Sequence, residues 1–325
     1  MTNEERRAES PLVRSGSRLR SVGVLLAQVV CVAFVAHTLW KNRAELEAMP
    51  PVHITDVLLL LGLNVIGHLQ RTVEFTYMLR KLNVREPFGE GLLLTGAGFL
   101  LNHLPLNAGF IMRAVVLQRD HQLPYAAYVS LTMVNAVVNV GVCALVSLSG
   151  LAFAPNLMVA SPYLVWVLAG LLLAAVLSLY VPALLAPRRN DWLSRQIRAL
   201  AQGVAMLRGN GTAVLIMAAI ALTKVGILSL RFAICFKMLA MPMSALGNLF
   251  VAVTQNLLAI VNVTPGNLGL REIVLSMVAG ELGTSRTVGL AAASIDRVVS
   301  LSYVLLVGLP GIYSLKGRAR STARA

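Results

Sequence analysis

Apolar positions along the chain gather into stretches near residues 21–40, 54–78, 125–149, 161–182, 212–236 and 287–313, separated by polar or basic segments. Each is close to the ~20 residues that a helix needs to cross the hydrocarbon core of a bilayer. Two further apolar stretches, 88–104 and 244–264, each end in a break of Pro and Gly residues and are followed by a polar segment that can still form a helix. A spanning helix has no use for such a break, because backbone groups freed at membrane depth find no water. The two stretches therefore predict re-entrant, broken helical hairpins. The whole pattern predicts an all-α polytopic membrane protein of about six transmembrane helices plus two hairpins. The first stretch exceeds the roughly 7–15 apolar residues of a signal peptide and has a poor cleavage pattern, so it reads as a retained anchor.

Composition agrees with this pattern. Of 325 residues, 57% are hydrophobic and 13% charged, and the mean hydropathy is +0.74, whereas soluble domains are roughly 25% charged. A net charge of +14 would suit nucleic acid, but the placement of the basic residues argues otherwise. They concentrate in the tail 1–20, between Arg80 and Arg119, in the linker 183–211 and in the tail 314–325. With six spans and two hairpins that return to their own side, all four segments fall on one face. The positive-inside rule makes that face cytoplasmic, which places both termini there, in a plasma membrane of the bacterial inner-membrane type. The surplus charge then sets orientation and meets anionic lipid. Cys31, Cys143 and Cys235 lie inside predicted spans at spacings that match no zinc pattern, so no metal or other cofactor is expected.

The single membrane domain, 21–313, contains two pseudo-repeats, about 53–182 and 212–313. Sliding the chain so that Arg71 falls on Arg231 also brings Asn102 onto Asn262, Pro105 onto Pro265 and Gly109 onto Gly269. Asn-x-x-Pro-x-x-x-Gly therefore stands at both breaks. The predicted topology runs the Arg71 helix inward and the Arg231 helix outward, so the repeats are inverted and the hairpins enter from opposite faces. That arrangement occurs mainly in alternating-access transporters. An old duplication kept only as scaffold is the plainer alternative.

Charged side chains inside the spans are the candidate site, because each costs about 2.5–3.5 kcal/mol to insert. Arg71 and Glu74 are three apart and share a helix face, so they are expected to pair. Lys224 and Arg231 have no acid on their own helix and need a partner from the bundle or from a ligand. Asp296 and Arg297 point in different directions and need separate partners, and Lys224 or Arg231 is the natural one for Asp296. Snorkelling to the interface is the alternative for Arg71 and Arg231. His68 and His103 carry the weaker signal of satisfied interior histidines. After Pro265 a new helix is expected to start near Leu268, its free N–H groups aimed at the bundle centre as an anion site. Mobile positive charge from Arg71, Lys224, Arg231, Arg271 and Arg297 would surround it.

Three segments, NHLPLNAGFIMRAVVLQRDHQLP, VNVTPGNLGLREIVLSMVAGELG and AAASIDRVVSLSYVLL, resemble the membrane region of the lysylphosphatidylglycerol synthase/flippase-like family. The resemblance runs from about residue 55 onward. It assigns Pro105, Gly109 and Arg113 to the family's first motif, Pro265, Gly266, Gly269 and Glu272 to its second, and Arg297 to its late arginine. Phe110 stands where many members carry Glu, and Asn267 replaces the second glycine of a Pro-Gly-Gly turn. The resemblance implies a lipid-translocating membrane domain without the aminoacyltransferase domain. The candidate headgroup site comprises Arg71, Glu74, Asn102, Pro105, Gly109, Arg113, Lys224, Arg231, Asn262, Pro265, Gly266, Gly269, Arg271, Glu272, Asp296 and Arg297.

The expected function is therefore that of a non-enzymatic transporter moving a phospholipid, anionic or zwitterionic, or a lipid-linked sugar between leaflets through a basic intramembrane cavity. No Walker-type phosphate loop is present to couple ATP. One alternative is a non-transporting partner subunit of a lipid-modifying glycosyl- or acyltransferase. Another is a membrane-embedded lipid-phosphate enzyme using Glu74, Glu272 or Asp296, for which the acids are too scattered.

Overall fold

The structure, a computed structural model, describes residues 53–104, 107–153, 211–261 and 265–322, with scattered positions besides. Pro105, Asn262, the tail 1–20, the linker as far as residue 210 and nearly all of the span expected at 21–40 lie outside the described residues, whereas of the span expected at 161–182 residues 166, 168–175 and 177 are described and helical.

Eight α-helices have described bounds, and no strand occurs among the described residues: α1 (Ile54–Lys81), α2 (Phe88–Leu101), α3 (Ala108–His121), α4 (Tyr125–Ala152), α5 (Gly211–Met238), α6 (Ala245–Val261), α7 (Leu270–Glu281) and α8 (Arg286–Thr322). A short 3-10 turn, Pro265–Asn267, separates α6 from α7. Helices α4, α5 and the Arg286–Leu315 portion of α8 are long and apolar enough to cross a membrane, so the chain is a multi-pass membrane protein. Helix α1 matches α4 and α5 at 28 residues, about 42 Å at 1.5 Å per residue. Its Asn64, His68, Arg71 and Glu74 make it less apolar. Basic Arg80 and Lys81 close its last turn, where the helix dipole favours positive charge. Helix α8 continues to Thr322, nine residues past the expected end at 313.

The two helices flanking each break are short. Helices α2 and α3 have 14 residues each, α6 has 17 and α7 has 12. At these lengths each reaches only about 18–26 Å, less than the ~30 Å hydrocarbon core. The order long, short, short, long thus occurs twice. Left-handed backbone recurs at matching points: Asn83 (φ 59°) after α1 and Ala240 (φ 54°) after α5, Asn107 (φ 52°) before α3 and Asn267 (φ 51°) before α7, and Gln122 (φ 55°) and Gly283 (φ 87°) after the short helices. Asn is among the few residues that accept this backbone, so Asn267 serves in the turn where the family pattern has glycine.

Side-chain contacts fix how the halves meet. Gln70 of α1 bonds to Thr223 of α5 at 2.5 Å, whereas Asp56, near the other end of α1, pairs with Lys237 at 3.2 Å. Rising residue number on one helix meets falling number on the other, so α1 and α5 are antiparallel. Each hairpin's first arm packs on the other half's long helix. Gly311 of α8 approaches α2 so closely that a Cβ there would lie 2.4 Å from the Leu93 carbonyl, a close approach that small residues allow between membrane helices. In the counterpart pair, Asn256 of α6 donates to Cys143 of α4 at 3.1 Å. The main apolar core joins Leu60 of α1, Cys143 of α4, Phe232 and Phe236 of α5, Val251 of α6, Leu275 of α7 and Ala292 of α8. A second core under the first hairpin joins Phe75, Leu94, Ala114, Leu117 and Tyr128.

Candidate functional site

The two breaks touch. At Gly266 (φ 60°) a Cβ would lie 2.8 Å from the ring of His103, at the tip of the first hairpin. Gly266 is needed for both reasons, since its backbone is left-handed and its neighbour leaves no room. His103 is anchored by its Nδ1 to the Phe99 carbonyl at 2.9 Å. On the other side of the contact, the Asn267 amide donates to the Leu258 carbonyl at 2.6 Å and ties the turn back to α6.

Two ion-pair systems converge on the second break. Arg297 of α8 donates to Glu272 Oε1 at 2.8 Å and to the carbonyls of Gly266 and Asn267 at 2.8 and 3.0 Å. The other oxygen of Glu272 accepts the Gly269 N–H at 2.8 Å and caps α7 from within. Asp296, 1% exposed, binds two arginines: Arg231 of α5 at 2.6 Å through Oδ1, and Arg271 of α7 through Oδ2. Arg271 also donates to Gln255 at 2.9 Å, and Arg231 to Ser300.

These contacts correct three expectations. The start of α7 is not an open anion site, because the carboxylate of Glu272 holds the N–H of its capping residue; the turn before it binds a guanidinium through its carbonyls. Arg231, Arg271 and Arg297 are not mobile charge, since each is held by a buried carboxylate. Arg231, 6% exposed, does not snorkel.

Arg71 and Glu74 correct a fourth. They share a face of α1, yet no ion pair joins them; the Arg71 guanidinium lies over the Phe99 ring, 4.8 Å from its centroid. Glu74 is 6% exposed, and its Oε1 has no hydrogen-bond partner among the described residues. Among the described residues Lys224 makes a single long contact, 3.4 Å, to Asn139 Oδ1. Arg113 reaches the Gly109 carbonyl at 3.3 Å and the Phe75 ring at 6.0 Å. Asn102 caps the end of α2 beside Gly109, its Oδ1 buried and without a partner among the described residues. His68 is a satisfied interior histidine, bonded to Thr95 and Tyr303 at 3.0 Å each.

The charges form one neighbourhood. Arg71 lies within electrostatic range of Arg231, Glu74, Arg113 and Arg271, and Lys224 within range of Arg71 and Glu74. Six cations (Arg71, Arg113, Lys224, Arg231, Arg271, Arg297) meet three carboxylates (Glu74, Glu272, Asp296), so positive charge is in surplus. The polar residues Asn139, Gln255, Asn256 and Ser300 belong to this neighbourhood and were not singled out from sequence. Their signal in the sequence is the presence of three amides and a hydroxyl inside otherwise apolar helices.

A multi-pass helical membrane protein whose two chain breaks meet at a buried, net-positive cluster is the class that fold and site define. Within that class, residues 20–308 match the lysylphosphatidylglycerol synthase TM region, and the chain belongs to that family. No curated protein and no solved structure matches it significantly.

Arg297 supplies a direct test of the second break. A lysine keeps the charge but loses the planar fork that reaches three oxygens at once. Arg297→Lys is expected to cost about 1–3 kcal/mol through the abandoned carbonyls and the weakened Glu272 contact. Thermal unfolding of the detergent-solubilised protein measures this, and an unchanged midpoint would mean that the fork does not hold the turn.

Proposed function

We propose that this chain is a non-enzymatic lipid transporter of the plasma membrane. It moves a phosphate-bearing lipid, a phospholipid or a lipid-linked sugar, between leaflets past the basic cluster. One observation carries this reading: Arg71, Arg113 and Lys224 sit inside the membrane domain without an ion-paired carboxylate among the described residues. Intramembrane cations are costly and mark ligand pathways, and a phosphate is the natural partner for a guanidinium beside an ammonium. Membership of the family adds weight to lipid handling.

The architecture supports the mechanism in outline. Antiparallel α1 and α5 and the repeated order of elements fit an inverted repeat, with α2–α3 and α6–α7 as re-entrant hairpins entering from opposite faces. The fixed pairs, Arg297 with Glu272 and Asp296 with Arg231 and Arg271, would hold the second hairpin as a rigid unit. The free cations would then be exposed to one leaflet and the other by rocking between the halves.

The test uses purified protein in phosphatidylcholine vesicles containing a trace of headgroup-intact, acyl-labelled phosphatidylglycerol, phosphatidylethanolamine or a lipid-linked sugar. Leaflet exchange is read by quenching from outside. Exchange of at least one of these is expected, falling at least tenfold in Arg71→Ala and Lys224→Ala. No exchange of any lipid by folded protein would reject transport and favour the partner-subunit reading.

A further inference from the structure

Among the described residues, Glu74 is the carboxylate of the cluster that no ion pair holds. Asp296 and Glu272 are each saturated by arginine or backbone N–H, whereas Glu74 is as buried as they are and keeps Oε1 without a partner. Arg71 and Lys224 lie within electrostatic range but form no ion pair with it. The nearest cation in sequence, Arg71, rests on the Phe99 ring instead. A buried acceptor left open is costly unless something donates to it. Here it stands among cations that themselves await an anion.

The complement of this arrangement is a group carrying both: a phosphate for Arg71 and Lys224, and next to it an O–H or N–H donor for Glu74. We infer that Glu74 is a specificity-determining residue that accepts a hydrogen bond from the lipid headgroup. The site thereby selects phospholipids whose headgroup bears a hydroxyl or primary ammonium, and rejects those carrying a quaternary ammonium. Phosphatidylglycerol and phosphatidylethanolamine each offer such a donor. Phosphatidylcholine has the same phosphate but no donor, so bound there it would leave the Glu74 oxygen desolvated and unpaired. A site that rejects an analogue by leaving its own polar group unpaired discriminates far better than one that relies on fit.

This inference rests on the transport reading for the identity of the site, but its test does not require transport. The purified protein in detergent is titrated with water-soluble dihexanoyl forms of phosphatidylglycerol, phosphatidylethanolamine and phosphatidylcholine, and the rise in unfolding temperature reports binding. Both donor-bearing lipids are expected to bind at least tenfold more tightly than the choline lipid. Glu74→Ala removes the acceptor and is expected to bring the three affinities within about twofold of one another. Glu74→Gln keeps a neutral acceptor and the side-chain shape; it should retain the preference for the hydroxyl-bearing lipid while losing most of that for the ammonium-bearing one. Equal affinities in the unaltered protein, or an undiminished preference in folded Glu74→Ala, would overturn the role of Glu74. Selective binding without leaflet exchange in vesicles would leave that role standing and reject transport instead.

Discussion

Gly109→Ala is expected to prevent the first hairpin from closing. A Cβ at Gly109 would lie 1.9 Å from the Gly98 carbonyl oxygen and 2.5 Å from Asn102 Oδ1. The first is backbone of α2 and cannot swing aside, and the second is the buried end of the Asn102 side chain. Relief therefore demands that α2 and α3 move apart. That would separate the second core of Phe75, Leu94, Ala114 and Leu117 and shift His103 away from Gly266. Ordinary overpacking costs about 1–3 kcal/mol, and a clash against backbone belongs at or above the top of that range. The expected result is a large fall in the unfolding temperature, or failure to recover folded protein. Gly62→Ala is the control, because nothing lies within 4 Å of a Cβ there, and it should leave the midpoint within a degree or two. Similar behaviour of the two variants would mean that α2 and α3 do not cross at Gly98 and Gly109.

Gly109 stands out in the amino-acid sequence because Asn-x-x-Pro-x-x-x-Gly occurs at both breaks, and helix boundaries are equally legible there. The apolar stretch 125–149 corresponds to Tyr125–Ala152, 212–236 to Gly211–Met238, and the hairpin arms 88–104 and 244–264 to Phe88–Leu101 and Ala245–Val261. Length, Pro and Gly carry that information locally. Charge pairing is not legible, because it depends on which helices become neighbours. Spacing places Arg71 and Glu74 on one face of α1, but the Phe99 ring from α2 takes the guanidinium. Asp296 recruits from α5 and α7 at once. The start of α7 departs from expectation for a related reason: Glu272, in the first turn of the helix, supplies the anion that an open N-terminus would have sought elsewhere. The amides Asn139, Gln255 and Asn256 give little signal because an uncharged side chain in an apolar stretch costs little enough to look like filler.

Asp296→Asn tests whether the second break is held by charge. In the unaltered protein Asp296 neutralises part of two buried guanidinium groups, Arg231 and Arg271, drawn from different helices. Asparagine keeps the volume and one acceptor but removes the charge, leaving both arginines uncompensated at membrane depth. Removing one partner of a buried ion pair costs about 3–5 kcal/mol, and here one substitution strands two cations. Arg231→Leu alone should cost less, because Asp296 keeps Arg271 and no unpaired charge remains. Combining the two substitutions removes one stranded cation, so the double variant should be more stable than Asp296→Asn by itself, a non-additivity expected only of groups in direct contact. Unfolding of the four proteins in one detergent measures the cycle. An additive result, or a neutral Asp296→Asn, would show that these helices are joined by packing rather than by the pair. The predicted order instead assigns Asp296 to binding α5, α7 and α8 together, which leaves Arg71, Arg113 and Lys224 as the cations available to a phosphate.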